Sequence, residues 1–346
     1  MTAVIPEFTT VSGAAVSRAL AGRQPHVVDI VEAAYRTHGD GGTVNPPSYF
    51  LRFPDEPANR IIALPASVAG DTRVAGIKWI SSFPANVEAG VPRASAVLIL
   101  NDQKTGYPFA CMESSIISAA RTAASAALAA KWLSAGRVRP RRLGVFGAGL
   151  IARYVHDYLA AVGFEFDEIG VHDLSAEHAE GFTGHLGRFG AEQRVVVHDK
   201  AEDLVRGSDL LVFATTAGMP HVTDPAWFDH HPLVLHVSLR DLSPEIVLSA
   251  VNVVDDVEHC LKANTSVHLA EQRTGNRDHV HATLPEVLAG AFAPPSDRTV
   301  VFSPFGLGVL DLAVAAFVYR EAVSSGDATP VPDFFHERRR YGGDDE

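Results

Sequence analysis

Cysteine is nearly absent. Only Cys111 and Cys260 occur among 346 residues, which excludes a disulfide framework, gives no cysteine-based metal spacing and fits a reducing compartment. Long apolar runs are missing as well. The most membrane-like stretch, Ser114 to Leu133, is interrupted by Arg121 and Lys131, charges that a spanning helix rarely carries, so it reads as a buried soluble helix. Positive charge is in deficit, with 29 Lys and Arg against 41 Asp and Glu and a net charge of −12. That balance argues against nucleic acid and anionic membranes, while a local basic pocket for an acidic substrate stays open. The start, Met1-Thr2-Ala3-Val4-Ile5-Pro6-Glu7-Phe8, has no basic segment ahead of an apolar core, so a cytoplasmic protein is expected. Internal repeats are lacking, and the charged tail from Arg338-Arg339-Arg340 to Glu346 reads as a mobile end.

What is present begins with length and an apolar fraction of 47%, ample for a large core and more than one domain usually needs. The run Leu143-Gly144-Val145-Phe146 breaks at Gly147-Ala148-Gly149-Leu150-Ile151-Ala152 and continues at helical spacing. This is the strand, turn and helix of a dinucleotide site. Gly147 allows the tight turn, Gly149 carries no side chain to hold a pyrophosphate off the backbone, and Ala152 takes the third small position. The helix N-terminus then faces the phosphates. A second apolar strand, Glu168-Ile169-Gly170-Val171-His172, ends in Asp173, 26 residues after Gly147. A carboxylate there bonds a ribose 2′-hydroxyl and repels a 2′-phosphate, which favours NAD over NADP.

Ahead of this motif, spacing predicts a helix over His26 to His38 and strands at 49–53, 60–64, 74–80, 94–100 and 109–112. Strands without intervening helices indicate a mainly antiparallel sheet. Behind the motif, strands at 195–197, 210–216, 233–238 and 251–255 alternate with helices, the pattern of a doubly wound parallel sheet. The segment 299–303 is expected to be its last strand, and 309–324 a helix returning the chain to its first part.

Several charges sit in apolar surroundings. Lys78, inside Gly76-Ile77-Lys78-Trp79-Ile80, is either an edge-strand lysine facing water or a ligand group. Arg121 poses the same choice against a structural salt bridge. Arg52, Arg60 and Arg93 lie in or beside strands; together they would hold a substrate with several carboxylates, and separately they are solvated charges. Asp241 follows a strand end, where ligands of doubly wound sheets bind, although its place before Ser243-Pro244 also suits a cap. Asp311, on an apolar helix after a glycine turn, suits a cap too. His172, His230, His231, His279 and His281 show no companion ligand spacing, so no metal is expected.

Taken together, Gly76-Ile77-Lys78, Arg93-Ala94-Ser95 before Ile99-Leu100-Asn101-Asp102, Ser118 to Ala124, the Gly147 turn and Gly306 to Asp311 resemble the ornithine cyclodeaminase/mu-crystallin family over nearly the whole chain. Local likenesses at Tyr49 to Arg52, Arg60 to Pro65, Gly76 to Ile80 and Met112 to Ser118 are to its N-[(2S)-2-amino-2-carboxyethyl]-L-glutamate dehydrogenase branch, which makes 2,3-diaminopropionate for siderophores and peptide antibiotics. Cyclodeaminases usually follow the matching aspartate with Pro-Gly-Lys; here Asp241 is followed by Leu242-Ser243-Pro244-Glu245. The resemblance implies an α/β fold, a Rossmann doubly wound parallel sheet (119–304) inserted in a smaller α+β substrate-binding and dimerisation domain (1–118 plus 305–346), and a homodimer.

It further implies an NAD-dependent oxidative cleavage, with Lys78 and Asp241 catalytic and Arg52, Lys78, Arg93 and Arg121 on the substrate. Gly147, Ala148, Gly149, Leu150, Ile151, Asp173, Thr215 and Asp311 would bind the cofactor. The alternatives are an ornithine cyclodeaminase, another amino-acid or ketimine dehydrogenase, and a non-catalytic, dinucleotide-binding crystallin-like or regulatory protein.

Overall fold

The computed structural model describes residues 7–70, 72–189 and 193–336; the charged tail from Arg338 lies outside them. Two compact units emerge, one of Met1–Ala21, Thr43–Ile117 and Asp311–Glu346, the other of Gly22–Gly42 and Ser118–Leu310. The division falls inside two helices, Ser115–Leu133 and Gly308–Ser325. Among the described residues no helix is long and apolar enough to cross a membrane.

The first unit holds β1 (Thr9–Val11), β2 (Thr43–Val44), β3 (Tyr49–Phe53), β4 (Glu56–Val68), β5 (Val74–Ser82), β6 (Ala96–Asn101) and β7 (Pro108–Glu113). The second holds β8 (Arg142–Phe146), β9 (Glu168–His172), β10 (Arg194–Val197), β11 (Leu210–Phe213), β12 (Leu233–His236), β13 (Val251–Val254), β14 (Val280–Thr283) and β15 (Val300–Ser303). A final strand, β16 (Thr329–Pro330), rejoins the first sheet beside β1.

The first sheet has the order β16-β1-β7-β6-β5-β4-β2, with β3 also paired to β4. It is antiparallel except for β1 beside β7. Its longest strand, β4, runs through Pro65, where the sequence pattern stops. Pro65 pairs with Ile77 on one side, while the other edge passes from β3, ending opposite Ala63, to β2, starting opposite Ser67. In that gap a missing N–H breaks no ladder bond. At the centre of the sheet the faces alternate: Leu64, Lys78 and Leu98 lie side by side on the buried face, Ala63, Trp79 and Val97 on the other. Gly76 is required by close approach, since a Cβ there would stand 2.1 Å from the Ile99 carbonyl oxygen.

The second sheet is parallel throughout, in the order β10-β9-β8-β11-β12-β15-β13-β14. This is the expected doubly wound arrangement with one correction. The segment expected as its last strand, β15, is an interior strand between β12 and β13, and the edge is β14. Four residues with only one of them buried give β14 little apolar signal. The strands expected at 210–216 and 233–238 end earlier, at Phe213 and His236, leaving polar residues beyond their carboxyl ends. Phe146, Phe213, Val234 and Val301 share one buried cluster, each such side chain adding about 1.5–3 kcal/mol by leaving water. The helix Gln24–Gly39 belongs to this unit: the Tyr35 hydroxyl lies 2.7 Å from Ser125 Oγ, and Arg36 donates to the Leu288 carbonyl at 2.7 Å.

Candidate active site

The Gly147 turn is built as its residues require. Gly147 has φ +82°, and a Cβ there would meet the Ala214 carbonyl oxygen at 2.8 Å, so both conformation and space demand glycine. Gly149 differs: a Cβ would meet nothing within 4 Å. It caps the helix Leu150–Ala161 without a side-chain hydrogen bond, leaving first-turn N–H groups over open space, a cradle that fits a pyrophosphate. The Ala148 N–H donates to Asp173 Oδ2 at 2.7 Å and the Ser175 N–H to Oδ1 at 2.8 Å. Asp173 thus ties the second strand to the glycine turn and retains acceptor sites for a ribose hydroxyl.

In the first unit, β5 is an interior strand, so Lys78 is no edge lysine. It is 1% exposed, and its ammonium lies 2.8 Å from Asp311 Oδ2, whose side chain is fully buried. Asp311, expected as a cofactor contact, is the counter-ion of Lys78. The β3, β4 and β5 register sets Arg52 opposite Arg60 and Arg60 opposite Ser82, and Arg93 donates to Ser82 Oγ at 2.8 Å. Burial pushes the Arg93 guanidinium below its ordinary range. Directly opposed residues share a face, and Ser82 lies four positions from Lys78 on that strand. Three arginines therefore gather on the Lys78 face, about 13 Å along it.

In the second unit, Arg121 is 8% exposed on the Ala-rich helix and packs against the turn at Gly306. That glycine has φ +93°, and a Cβ there would come within 2.5 Å of Arg121 Nη1. The turn is held by Asp255, at the end of β13, which accepts the Phe305 N–H at 2.9 Å and the Gly306 N–H at 2.7 Å.

Asp241 caps nothing; Ser243 precedes the helix Pro244–Ser249. It is 0% exposed. Thr215 Oγ1 donates to Oδ1, which also lies 3.1 Å from His221 Nε2; Ser238 Oγ donates to Oδ2, which lies 3.1 Å from His236 Nε2. Burial would push this carboxyl up, but hydrogen bonds from His221, His236 and Ser238, with the charge of His236, hold it well below the usual carboxylate range. Leu239, at φ +71°, turns the chain between Ser238 and Asp241, a conformation that costs a β-carbon residue about 1–2 kcal/mol. Thr215, expected on the cofactor, is thus a partner of Asp241. His221, His236 and Asp255 were not singled out in the sequence. Their signal was polar residues clustered at the carboxyl ends of apolar parallel strands, where ligands of this architecture bind.

A parallel doubly wound sheet with this glycine turn defines a dinucleotide-binding protein. The chain belongs to the ornithine cyclodeaminase/mu-crystallin family, whose profile matches residues 14–326. It is 29% identical to N-((2S)-2-amino-2-carboxyethyl)-L-glutamate dehydrogenase of Staphylococcus aureus, covering 88% of this chain and 92% of that protein. Alanine dehydrogenase of Archaeoglobus fulgidus is 31% identical over 89% of this chain and 93% of its own. Among solved structures, Thermococcus litoralis Delta(1)-pyrroline-2-carboxylate reductase, in complex with NADH and L-proline, superposes with a TM-score of 0.86 at 26% identity, covering 94% of this chain and all of that one.

Proposed function

We propose that the chain is an NAD-dependent oxidoreductase acting on the C–N bond of an amino acid, and that its substrate is N-[(2S)-2-amino-2-carboxyethyl]-L-glutamate, cleaved to L-2,3-diaminopropionate and 2-oxoglutarate. The observation that carries the substrate is the arginine group on the Lys78 face, because this molecule presents three carboxylates and an alanine-sized substrate presents one. The 29% identical dehydrogenase supports the same reading. A dinucleotide held at the Gly147 turn, with Gly147, Ala148, Gly149, Leu150 and Ile151 at its phosphates and Asp173 on its ribose, would supply the hydride acceptor for the glutamate Cα.

The protein's own residues hold and protonate. Arg52, Arg93 and Arg121 clamp carboxylates, Arg by bidentate bonds. Lys78, paired with Asp311, binds a carboxylate or the reacting nitrogen. Asp241 governs proton removal from the amine and from the water that attacks the imine. The protein is cytoplasmic and a homodimer. It pairs through the outer face of the first sheet, where Tyr49 (72% exposed), Trp79 (40%) and Val97 (44%) stand in one cross-strand row with Ala63, more large apolar surface than a lone sheet leaves to water.

Incubating the purified protein with NAD and candidate amino acids, following NADH absorbance and identifying products by mass spectrometry, tests this. NADH with diaminopropionate is expected from the aminocarboxyethyl-glutamate. Neither product from it, with proline and ammonia from ornithine and no net NADH, makes the protein a cyclodeaminase; tighter binding of NADP than NAD overturns the assignment of Asp173.

A further inference from the structure

Asp241 is poorly placed to accept a proton itself. A carboxylate offers about four lone-pair sites, and protein groups crowd them: Thr215 and His221 on Oδ1 and Ser238 on Oδ2, with His236 Nε2 3.1 Å from both Oδ2 and the Asp241 backbone nitrogen. The side chain is fully buried, as is that of His236. His221 is the ring of this group that reaches solvent, with 39% of its side chain exposed. It follows β11 on the loop that begins at Ala214, and that loop is stitched to Asp241 twice. The side chains meet through Nε2, and the His221 and Val222 N–H groups both donate to the Asp241 carbonyl at 2.9 Å. A carboxylate oxygen at Nε2 places the ring proton there, because the oxygen is acceptor-only. Nδ1 then carries the lone pair.

We propose that His221 Nδ1, rather than the Asp241 carboxylate, takes the protons released in the oxidation, and that Asp241 is the positioning residue that fixes the ring through Nε2. This rests on the reading of the chain as an amino-acid C–N oxidoreductase. The step balances. The substrate ammonium gives one proton to Nδ1 and becomes the amine; the Cα–H leaves as hydride to NAD⁺, and the nitrogen lone pair forms the C=N bond. Water adds its oxygen to that carbon and gives a proton to the same base after the first has passed to solvent. When the C–N bond breaks, its electron pair stays on nitrogen, which takes the hydroxyl proton of the adduct as the carbonyl forms and regains one further proton to leave as an ammonium, so one proton is released per NADH. The groups facing the ring are Asp241, its backbone partner and carboxylate, and the Phe146 ring with centroids 6.3 Å away. Behind Asp241 stand His236, Thr215 and Ser238. An imidazole half in water is suited to pass protons on; a sealed carboxylate is not.

The test pairs kinetics with a measurement that needs no turnover. His221→Gln should lower kcat by about 10²–10³-fold with KM and NAD affinity within threefold of the wild type. His221→Gly should regain part of its rate with free imidazole, which a purely structural histidine would not show. In ¹⁵N-histidine NMR of the full chain, His221 should be the Nε2–H tautomer with Nδ1 bare, and Asp241→Asn should mix the tautomers. A His221→Gln enzyme within threefold of wild-type kcat, or a ring protonated at Nδ1 and bare at Nε2, overturns the proposal. If the wild type oxidises no amino acid, the functional reading fails instead, and the tautomer still decides for or against the ring's assignment.

Discussion

Asp241 and Asp255 are both fully buried acids beyond the carboxyl ends of strands in one parallel sheet, yet their surroundings drive them apart. Asp241 meets two histidines and two hydroxyls, which together hold it well below the usual carboxylate range. Asp255 meets the N–H groups of Asp256, Phe305 and Gly306 and the Cys260 thiol. Burial pushes it up, the two backbone bonds from the turn do not make up the difference, and the neighbouring Asp256 adds to the rise. Equal burial therefore does not mean an equal shift. Hydrogen bonds from rings and hydroxyls draw the one acid down, while the backbone and thiol donors of the other do not outweigh its burial. One acid organises groups around a reacting proton, and the other holds a turn against Arg121.

The sharpest break in this comparison is Asp241→Asn. Turnover should fall about 10²–10⁴-fold, read as the NADH rate, with NAD affinity nearly unchanged. A loss below tenfold would mean that the ionised carboxylate is not needed. Stability should follow the same charge. A carboxyl whose folded pKa is depressed stabilises above the ordinary aspartate pKa of about 3.9, and that contribution is lost as pH falls toward the folded value. The stability gap between wild type and Asp241→Asn should thus be full at neutral pH and begin to close below about pH 4.

The first unit offers a third buried acid, Asp311, whose charge is balanced by a lysine rather than by histidines. Lys78→Met leaves that carboxylate without its ammonium in a closed site, which should cost about 3–5 kcal/mol. Urea unfolding should show it, and Lys78→Met with Asp311→Leu should recover a large part, because both changes act on one buried ion pair. A double variant no better than the single one would show that other partners dominate.

The fold was legible where one physical signal sufficed. Apolar runs ending in Gly147 or Asp173 could be read as parallel strands, and alternation placed Lys78 in a strand. Short strands such as β1, β2 and β16, of two or three residues, have no period to read, and β14 offers only Val280 and Ala282 as apolar signal. The site was legible as residue types but not as partnerships. Lys78 and Asp311 are 233 positions apart, and only the folded sheet and helix reveal an ion pair. Asp241 reads as a cap because Ser243-Pro244 follows it, whereas its actual partners arrive from the loop after β11 and from the end of β12 and the residues just beyond it. Long-range donors decide these roles, and no local window contains them.

Asp255→Asn sharpens the comparison by reversing its sign. Asparagine keeps one acceptor oxygen and puts an NH₂ where the second oxygen takes its bond, so one N–H of the Phe305–Gly306 turn or of Asp256 faces a donor. One such unsatisfied group costs about 1–3 kcal/mol. The wild type carries an opposing cost. Because the folded pKa of Asp255 is raised, the folded state holds its proton to higher pH than the unfolded chain does, and wild-type stability falls as pH rises above about 4. Asparagine has no proton to lose there. The deficit of Asp255→Asn should be largest near pH 4 and narrow toward pH 8, while that of Asp241→Asn is already full over the same span. Urea unfolding at the two pH values reads both. If the Asp255→Asn deficit widens with pH, then Asp255 is ionised in the folded protein as Asp241 is, and the turn beside Arg121 is held by a charge.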